Sequence, residues 1–246
     1  MILKAKSLSK HFDGVVAADD VTIEVAAGER VGLIGSNGAG KTTFVNMITG
    51  YLKPDAGRIE LEGHDITRLG PRQIMRRGVA RSFQIPQLCG GLSVLDNMLA
   101  AAACAQGELS FWRAAHTAQS RARAESVLER FSLAQHAGRR VAELAGGVRK
   151  LLDIAMALTR RPSLLLLDEP TSGVSAEEKF PVMDTVMAAL DGERTTVLFV
   201  EHDMDIVQRY AGRVVAFYSG RVLADGAPAS VLANAEVRRH VTGAEA

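Results

Sequence analysis

Residues 35–42, Gly35-Ser36-Asn37-Gly38-Ala39-Gly40-Lys41-Thr42, satisfy the pattern G-x-x-x-x-G-K-[ST] at every fixed position. That spacing serves phosphate binding. Glycines let successive backbone N–H groups turn toward one point, and the free N–H groups and positive dipole end of a following helix favour negative charge. Lys41 would reach the outer phosphates of a nucleotide. Thr42 would offer a hydroxyl to Mg²⁺, which keeps several waters and needs only one or two protein oxygens. A second group of residues could complete that chemistry: four leucines, 164–167, run into Asp168-Glu169. Two carboxylates at the C-terminal end of a buried strand stand where ligands of open α/β sheets bind. Asp168 is the candidate to hold the metal or its water. Glu169 is the candidate general base, because phosphoryl transfer needs a positioned nucleophile and charge neutralisation more than covalent chemistry. By itself an Asp-Glu pair after a strand reads as a solvated helix start; the loop at 35–42 changes that reading.

The loop works only between a strand and a helix, and the flanking residues supply both. Segments 2–8, 21–25, 30–35 and 58–61 alternate or run apolar as strands do, the last after the turn signal 54–57. From 41 to 50 the spacing of Phe44, Val45 and Ile48 is helical and stops at a glycine. Residues 93–160 are rich in Ala, Leu, Arg and Glu and read as about three helices. The pattern then returns to strand and helix: a buried strand at 163–168, a helix at 176–190, a strand at 195–200, a hairpin from 213–217 and 221–224, and a helical tail at 235–241. With no internal repeat or low-complexity linker, the helical lobe interrupts one α/β core.

Composition narrows the classes. With 47% apolar and 23% charged residues the chain is ordinary globular material of a length that buries a sizeable core. A formal net charge of +1 gives no global field toward nucleic acid or an acidic membrane, so no nucleic-acid partner is expected. The two cysteines, Cys89 and Cys104, imply neither a disulfide framework nor a zinc site and fit a reducing compartment. The N-terminus lacks the apolar stretch of a signal peptide, and no window approaches the roughly 18 apolar residues of a spanning helix. Any work at a membrane would need another chain as anchor.

The order GSNGAGKT, Gln84, LAGG, LLLLDEP and EHD resembles the nucleotide-binding subunit of ABC transporters, and these motifs run through nearly the whole chain. The resemblance implies an α/β P-loop NTPase core with an N-terminal antiparallel β subdomain and an inserted helical subdomain. The expected division is a single ABC ATPase domain over 1–246, with the core in 1–92 and 161–246 and the helical signature subdomain in 93–160. It implies ATP and Mg²⁺ as ligands, with Ser36, Asn37, Gly38, Ala39, Gly40, Lys41, Thr42 and Thr43 around the phosphates. Phe12 resembles the aromatic that stacks on adenine; read alone, it would be core. Gln84 resembles the glutamine that contacts Mg²⁺ and couples the site to membrane subunits, joining Thr42 and Asp168 as metal contacts. His202 resembles the histidine that contacts the γ-phosphate and supports the water held by Glu169. The other histidines, His11, His64, His116, His136 and His240, have no such context and are expected at the surface.

Leu144-Ala145-Gly146-Gly147-Val148 occupies the place of the family signature, usually Leu-Ser-Gly-Gly-Gln, which binds the γ-phosphate of ATP on the opposite subunit. Ala145 lacks the hydroxyl and Val148 the amide, while Gly146 and Gly147 keep close backbone approach at a helix start. Residues 172–175 lack the usual aspartate of the neighbouring loop. The implied outcome is an asymmetric pair of ATPase subunits in which one composite site turns over more slowly.

Segments 78–84, 92–97 and 151–155 and Glu201-His202-Asp203-Met204 resemble ATPase subunits of branched-chain amino-acid importers. Those work at the cytoplasmic face of the inner membrane with two integral membrane permease subunits, a second ATPase subunit and a periplasmic solute-binding protein. The stretch 85–112, with Leu88, Leu92, Phe111 and Trp112, is then expected to face the membrane subunits. The ATPase that powers lipopolysaccharide export is the alternative. A soluble non-transport ABC ATPase would usually carry two cores or a long coiled-coil insertion, and a purely binding regulator would not need Lys41, Asp168, Glu169 and His202 together.

Overall fold

The computed structural model describes residues 1–106, 117–192 and 194–243. In chain order the elements are β1 (Leu3–Phe12), β2 (Val15–Val25), β3 (Arg30–Gly35), α1 (Lys41–Ile48), β4 (Ala56–Leu61), β5 (His64–Asp65), α2 (Pro71–Arg76) and β6 (Val79–Ser82). There follow α3 (Val94–Gln106), α4 (Ala118–Arg130), α5 (Gly146–Leu158), β7 (Leu164–Asp168) and α6 (Lys179–Leu190). The last are β8 (Thr196–Val200), α7 (Met204–Tyr210), β9 (Arg213–Tyr218), β10 (Arg221–Gly226), α8 (Pro228–Ala233) and α9 (Ala235–Val237). By their contacts these fall into two compact units, Met1–Val79 with Arg194–Ala246, and Ala80–Glu193.

The first unit holds an antiparallel sheet of order β2-β1-β4-β5 and the strand series β10-β9-β3-β8. In β2, Val21, Ile23 and Val25 are buried while Thr22 and Glu24 point away, the period-2 pattern of a sheet packed on one face. β3 and β8 are buried almost throughout, as parallel strands covered on both sides must be. They pair in parallel with Leu33 opposite Val200, and β3 pairs in parallel with β9, Gly35 opposite Phe217. Residues leaving β3 and β8 therefore emerge at one edge of the sheet. Phe44 of α1 packs on Phe217 of β9 with ring centroids 5.7 Å apart, which seats the helix that follows the glycine loop.

In the second unit β7 lies beside β6, and its four leucines are all buried. The described part of residues 93–160 contains α3, α4 and α5 with two short 3₁₀ turns. Leu128, Phe131, Leu152 and Ile154 are fully buried there.

The strand at 58–61 begins earlier than its turn signal implied, because Ala56 pairs with Ser9 of β1 and draws residues 56 and 57 into the ladder. Helix α6 starts at Lys179, since the Ser175 hydroxyl donates to the Glu178 carboxylate over 3.1 Å and holds the preceding residues in a turn. Helix α2 escaped the periodicity reading; its signals were a proline in the first turn and Gln73, whose side chain accepts from the Gly70 N–H at 2.9 Å. The tail is α-helical only over Ala235–Val237 and π-helical over Arg238–Thr242.

Candidate active site

The phosphate loop is shaped by backbone fit. Gly40 has φ +107°, and a Cβ there would meet the Ala17 carbonyl oxygen at 2.7 Å and Gly220 Cα at 3.2 Å. Glycine is the residue for that position on both counts. The turn between β9 and β10 props the loop from beside it: the Gly220 N–H donates to the Ala39 carbonyl at 3.0 Å, and the Gly220 carbonyl accepts from the Asp19 N–H at 2.9 Å. Arg221 then pairs with Asp19 at 2.5 Å, so β2, the loop and the turn are tied together. No side chain caps the N-terminus of α1 and no acidic residue stands in its first turn, so no side-chain charge offsets the positive end of the helix dipole, which favours an anion there. Lys41 is buried, and its ammonium donates to the carbonyls of Gly35 at 2.6 Å and Ser36 at 3.0 Å, inside the curl of the loop. Asn37, Gly38 and Thr42 are exposed, and Ser36 and Thr43 are partly exposed.

His202 leaves the same sheet edge. The Glu201 N–H donates to the Leu33 carbonyl at 3.3 Å, and the His202 N–H donates to the Glu201 carboxylate at 3.2 Å. Asp203 caps α7, its carboxylate accepting from the N–H groups of Asp205 and Ile206. His202 thus sits exposed on a junction pinned from both sides. Phe12 is 45% exposed at the end of β1, with the Lys10 ammonium 5.5 Å from its ring centroid, so it is not a core residue and is open to stacking.

In the second unit the acidic end of β7 meets the end of β6 in two matched pairs. Arg81 donates to the Asp168 carboxylate at 2.5 Å with both side chains largely buried, and Gln84 Nε2 donates to the Glu169 carboxylate at 2.6 Å. Glu169 has φ +47°, a left-handed conformation that costs a side-chain-bearing residue roughly 1–3 kcal/mol and that clusters at working sites. Both residues of the predicted acidic pair are brought together with the predicted glutamine.

The signature segment starts α5, with Ala145 at the N-cap and no side-chain cap. A Cβ on Gly146 would lie 2.8 Å from the Gly173 carbonyl oxygen, so the loop at 172–175 rests directly on this glycine. Gly147 is buried beside Val182 and Glu178.

Three charged residues of this unit carried no role in the sequence reading. Arg81 lay within a quoted motif, yet its partner Asp168 stands 87 positions away. Lys150 is 1% exposed and donates to the carbonyls of Phe83 at 2.9 Å, Gln84 at 3.2 Å and Asp168 at 3.4 Å. Asp153 is also buried, accepting from the Ser82 hydroxyl at 2.7 Å and the Gln87 N–H at 3.2 Å. Burial pushes its carboxyl above the usual range, opposed by those hydrogen bonds and by the charge of Lys150. A signal was present: Lys150 lies in phase with the buried stripe Gly147, Ile154 and Leu158, where a charge needs an explanation.

Of the stretch expected to face membrane subunits, Ile85 is 73% and Leu92 39% exposed, and Leu88 is partly exposed. Val94, Leu95, Met98 and Leu99 are core, turned inward by the period of α3. Phe111 and Trp112 lie outside the described residues, as does His116. His11 and His64 are exposed, but His136 and His240 are only partly so. His240 stacks on Tyr218 with centroids 4.3 Å apart, which corrects the surface expectation for that residue.

Comparison with known proteins supplies the context for this geometry. Residues 18–172 match the ABC transporter family. The chain is 36% identical to the high-affinity branched-chain amino acid transport ATP-binding protein LivG of Salmonella typhimurium, over 98% of each chain. It is 37% identical to the phosphonates import ATP-binding protein PhnC 2 of Rhodopseudomonas palustris, over 95% of this chain and 87% of that one. A crystal structure of an ATP-binding cassette of an ABC transporter in its ADP conformation superposes with a TM-score of 0.86 at 32% identity, covering 97% of both chains. Among the described residues no helix is long and apolar enough to cross a membrane. A glycine cradle, a signature helix and an acidic strand end, in this order and with these relatives, mean that the chain belongs to the ABC transporter family, as an ATP-binding cassette that hydrolyses ATP.

Proposed function

We propose that this cassette powers an importer of branched-chain amino acids or related small polar or organic-acid solutes. It would act at the cytoplasmic face of the inner membrane, bound to two integral membrane permease subunits and paired with a second ATPase subunit, with a periplasmic protein delivering solute. The likeness to LivG along the whole chain supports this reading. So does the exposed Ile85 immediately after Gln84, an apolar side chain of the kind that docks on another protein. Residues 93–160 would be the helical signature subdomain.

The observation that carries the catalytic assignment is the Glu169 carboxylate held by Gln84 from a strained backbone. In our reading residues 36–43 and Lys41 bind the phosphates, and Phe12 stacks on the adenine. Glu169 takes a proton from the attacking water, while His202 supports that water and the γ-phosphate. Thr42, Asp168 and Gln84 offer the hydroxyl, carboxylate and amide oxygens that suit Mg²⁺. Mg²⁺ would neutralise charge on the phosphate oxygens. Ala145, Gly146 and Gly147 would present a helix start to the nucleotide of the second subunit. Lacking the hydroxyl and amide there, this chain would make that composite site the slower one.

Glu169→Gln keeps the shape and hydrogen-bonding reach of the side chain and removes its basicity. ATP turnover should fall about 100-fold or more while ATP affinity stays within about threefold. Turnover unchanged in that variant would take Glu169 out of the role. Purification of the chain from gently solubilised membranes should bring two multi-span proteins and a second ATPase; arrival with a lipid-export assembly would replace the importer reading.

A further inference from the structure

We propose that Lys150 and Asp153 are positioning residues that lock Gln84 and the acidic end of β7 to the signature helix. Whatever docks at the N-terminus of α5 thereby sets the aim of the Gln84–Glu169 pair. The proposal rests on the hydrolytic role assigned to that pair above.

The two side chains stand three residues apart on α5, on one face of the helix. Between them they hold nearly every point of the segment that carries Gln84. Asp153 accepts from the Ser82 hydroxyl before it and from the Gln87 N–H after it. Lys150 takes the carbonyls of Phe83 and Gln84 themselves. The same ammonium reaches the Asp168 carbonyl, at the end of the strand that delivers Glu169. One rigid helical turn therefore grips both strand ends, whereas the Gln84 side chain and Ile85 remain exposed.

Burial of an ammonium and a carboxylate is a poor route to stability, since well-packed apolar residues do as well or better. Charge here secures something that apolar packing does not: directional bonds to backbone carbonyls whose placement sets a catalytic side chain. α5 begins at Gly146, one turn before Lys150, with Gly173 of the neighbouring loop against it. A shift of that helix start carries Lys150 and Asp153 with it. The segment from Ser82 to Gln87 and the end of β7 must follow or break charged hydrogen bonds.

The test uses the full chain with Lys150→Met, Lys150→Arg and the double change Lys150→Met with Asp153→Asn, followed by steady-state ATP hydrolysis, thermal unfolding and amide hydrogen exchange over residues 83–87. Lys150→Met should lower kcat about tenfold with KM for ATP within about twofold, because the carbonyls that its ammonium holds, those of Phe83, Gln84 and Asp168, belong to the proposed hydrolytic pair's segments and not to the phosphate loop. Exchange over residues 83–87 should accelerate by a similar factor. Lys150→Arg, which keeps charge and donors, should recover most of kcat. The double variant removes the buried carboxylate left without its counter-charge, so its unfolding temperature should return toward the parent while kcat stays low. A double variant that folds and turns over within about twofold of the parent overturns the proposal, as does unchanged exchange in Lys150→Met. A parent chain without ATPase activity would count instead against the hydrolytic role, and the exchange measurement would still decide whether the lock exists.

Discussion

The glycine loop and the acidic end of β7, which we assign to the same chemistry, are held by different forces. The loop is fitted to its surroundings chiefly by main chain against main chain, Gly40 under the Ala17 carbonyl and Gly220 bonded to Ala39, with the Lys41 ammonium bonded inside its own curl. At β7 the work falls to side chains: Arg81 on Asp168, Gln84 on Glu169, and Lys150 on three carbonyls. Backbone packing gives a rigid cradle that admits one residue type and hardly moves. Charged side chains give strong, directional bonds that can be exchanged as partners arrive, which suits a region expected to respond to a second subunit.

The contrast can be broken most severely at Gly40. Gly40→Ala places a side chain at positive φ and into a carbonyl oxygen, together about 3 kcal/mol, so ATP affinity should drop roughly 100-fold in a fluorescent-nucleotide titration. Binding near the parent's would mean that the loop yields and that backbone fit is not what holds it.

Gly146→Ala asks whether the second unit has a backbone-fitted point of its own. A Cβ 2.8 Å from the Gly173 oxygen should destabilise by about 2 kcal/mol and lower the unfolding temperature by roughly 4–8 °C. No change would show that the loop at 172–175 gives way easily, sharpening the distinction from Gly40.

The smallest effect is a gain. Ala145 has the extended dihedrals of an N-cap but no oxygen to offer, so Ala145→Ser should add about 1 kcal/mol and raise the unfolding temperature by roughly 2–4 °C. In the paired assembly that we propose, the same change should speed the composite site assigned as the slower one. Equal stability would indicate that the first turn of α5 is already satisfied.

The sequence alone determined the α/β class and marked the glycine loop and the acidic strand end as candidates, because each is a local requirement, whereas Gln84 and His202 became candidates only through the order of the motifs around them. A loop that must wrap phosphates needs glycines at set intervals, and a strand buried on both faces must be wholly apolar until its functional end. The fold shows Phe12 exposed, against the ordinary expectation for a phenylalanine near a strand. What only the tertiary structure decided is the pairing of charges: Arg81 finds Asp168 across 87 positions, and Lys150 finds the carbonyl of Phe83 across 67. A carbonyl acceptor has no sequence signature, since every residue carries one. The phase of Lys150 with a buried stripe could mark it as unusual, but neither its partners nor those of Asp153 could be named until the chain folded and closed the Gln84 segment around them.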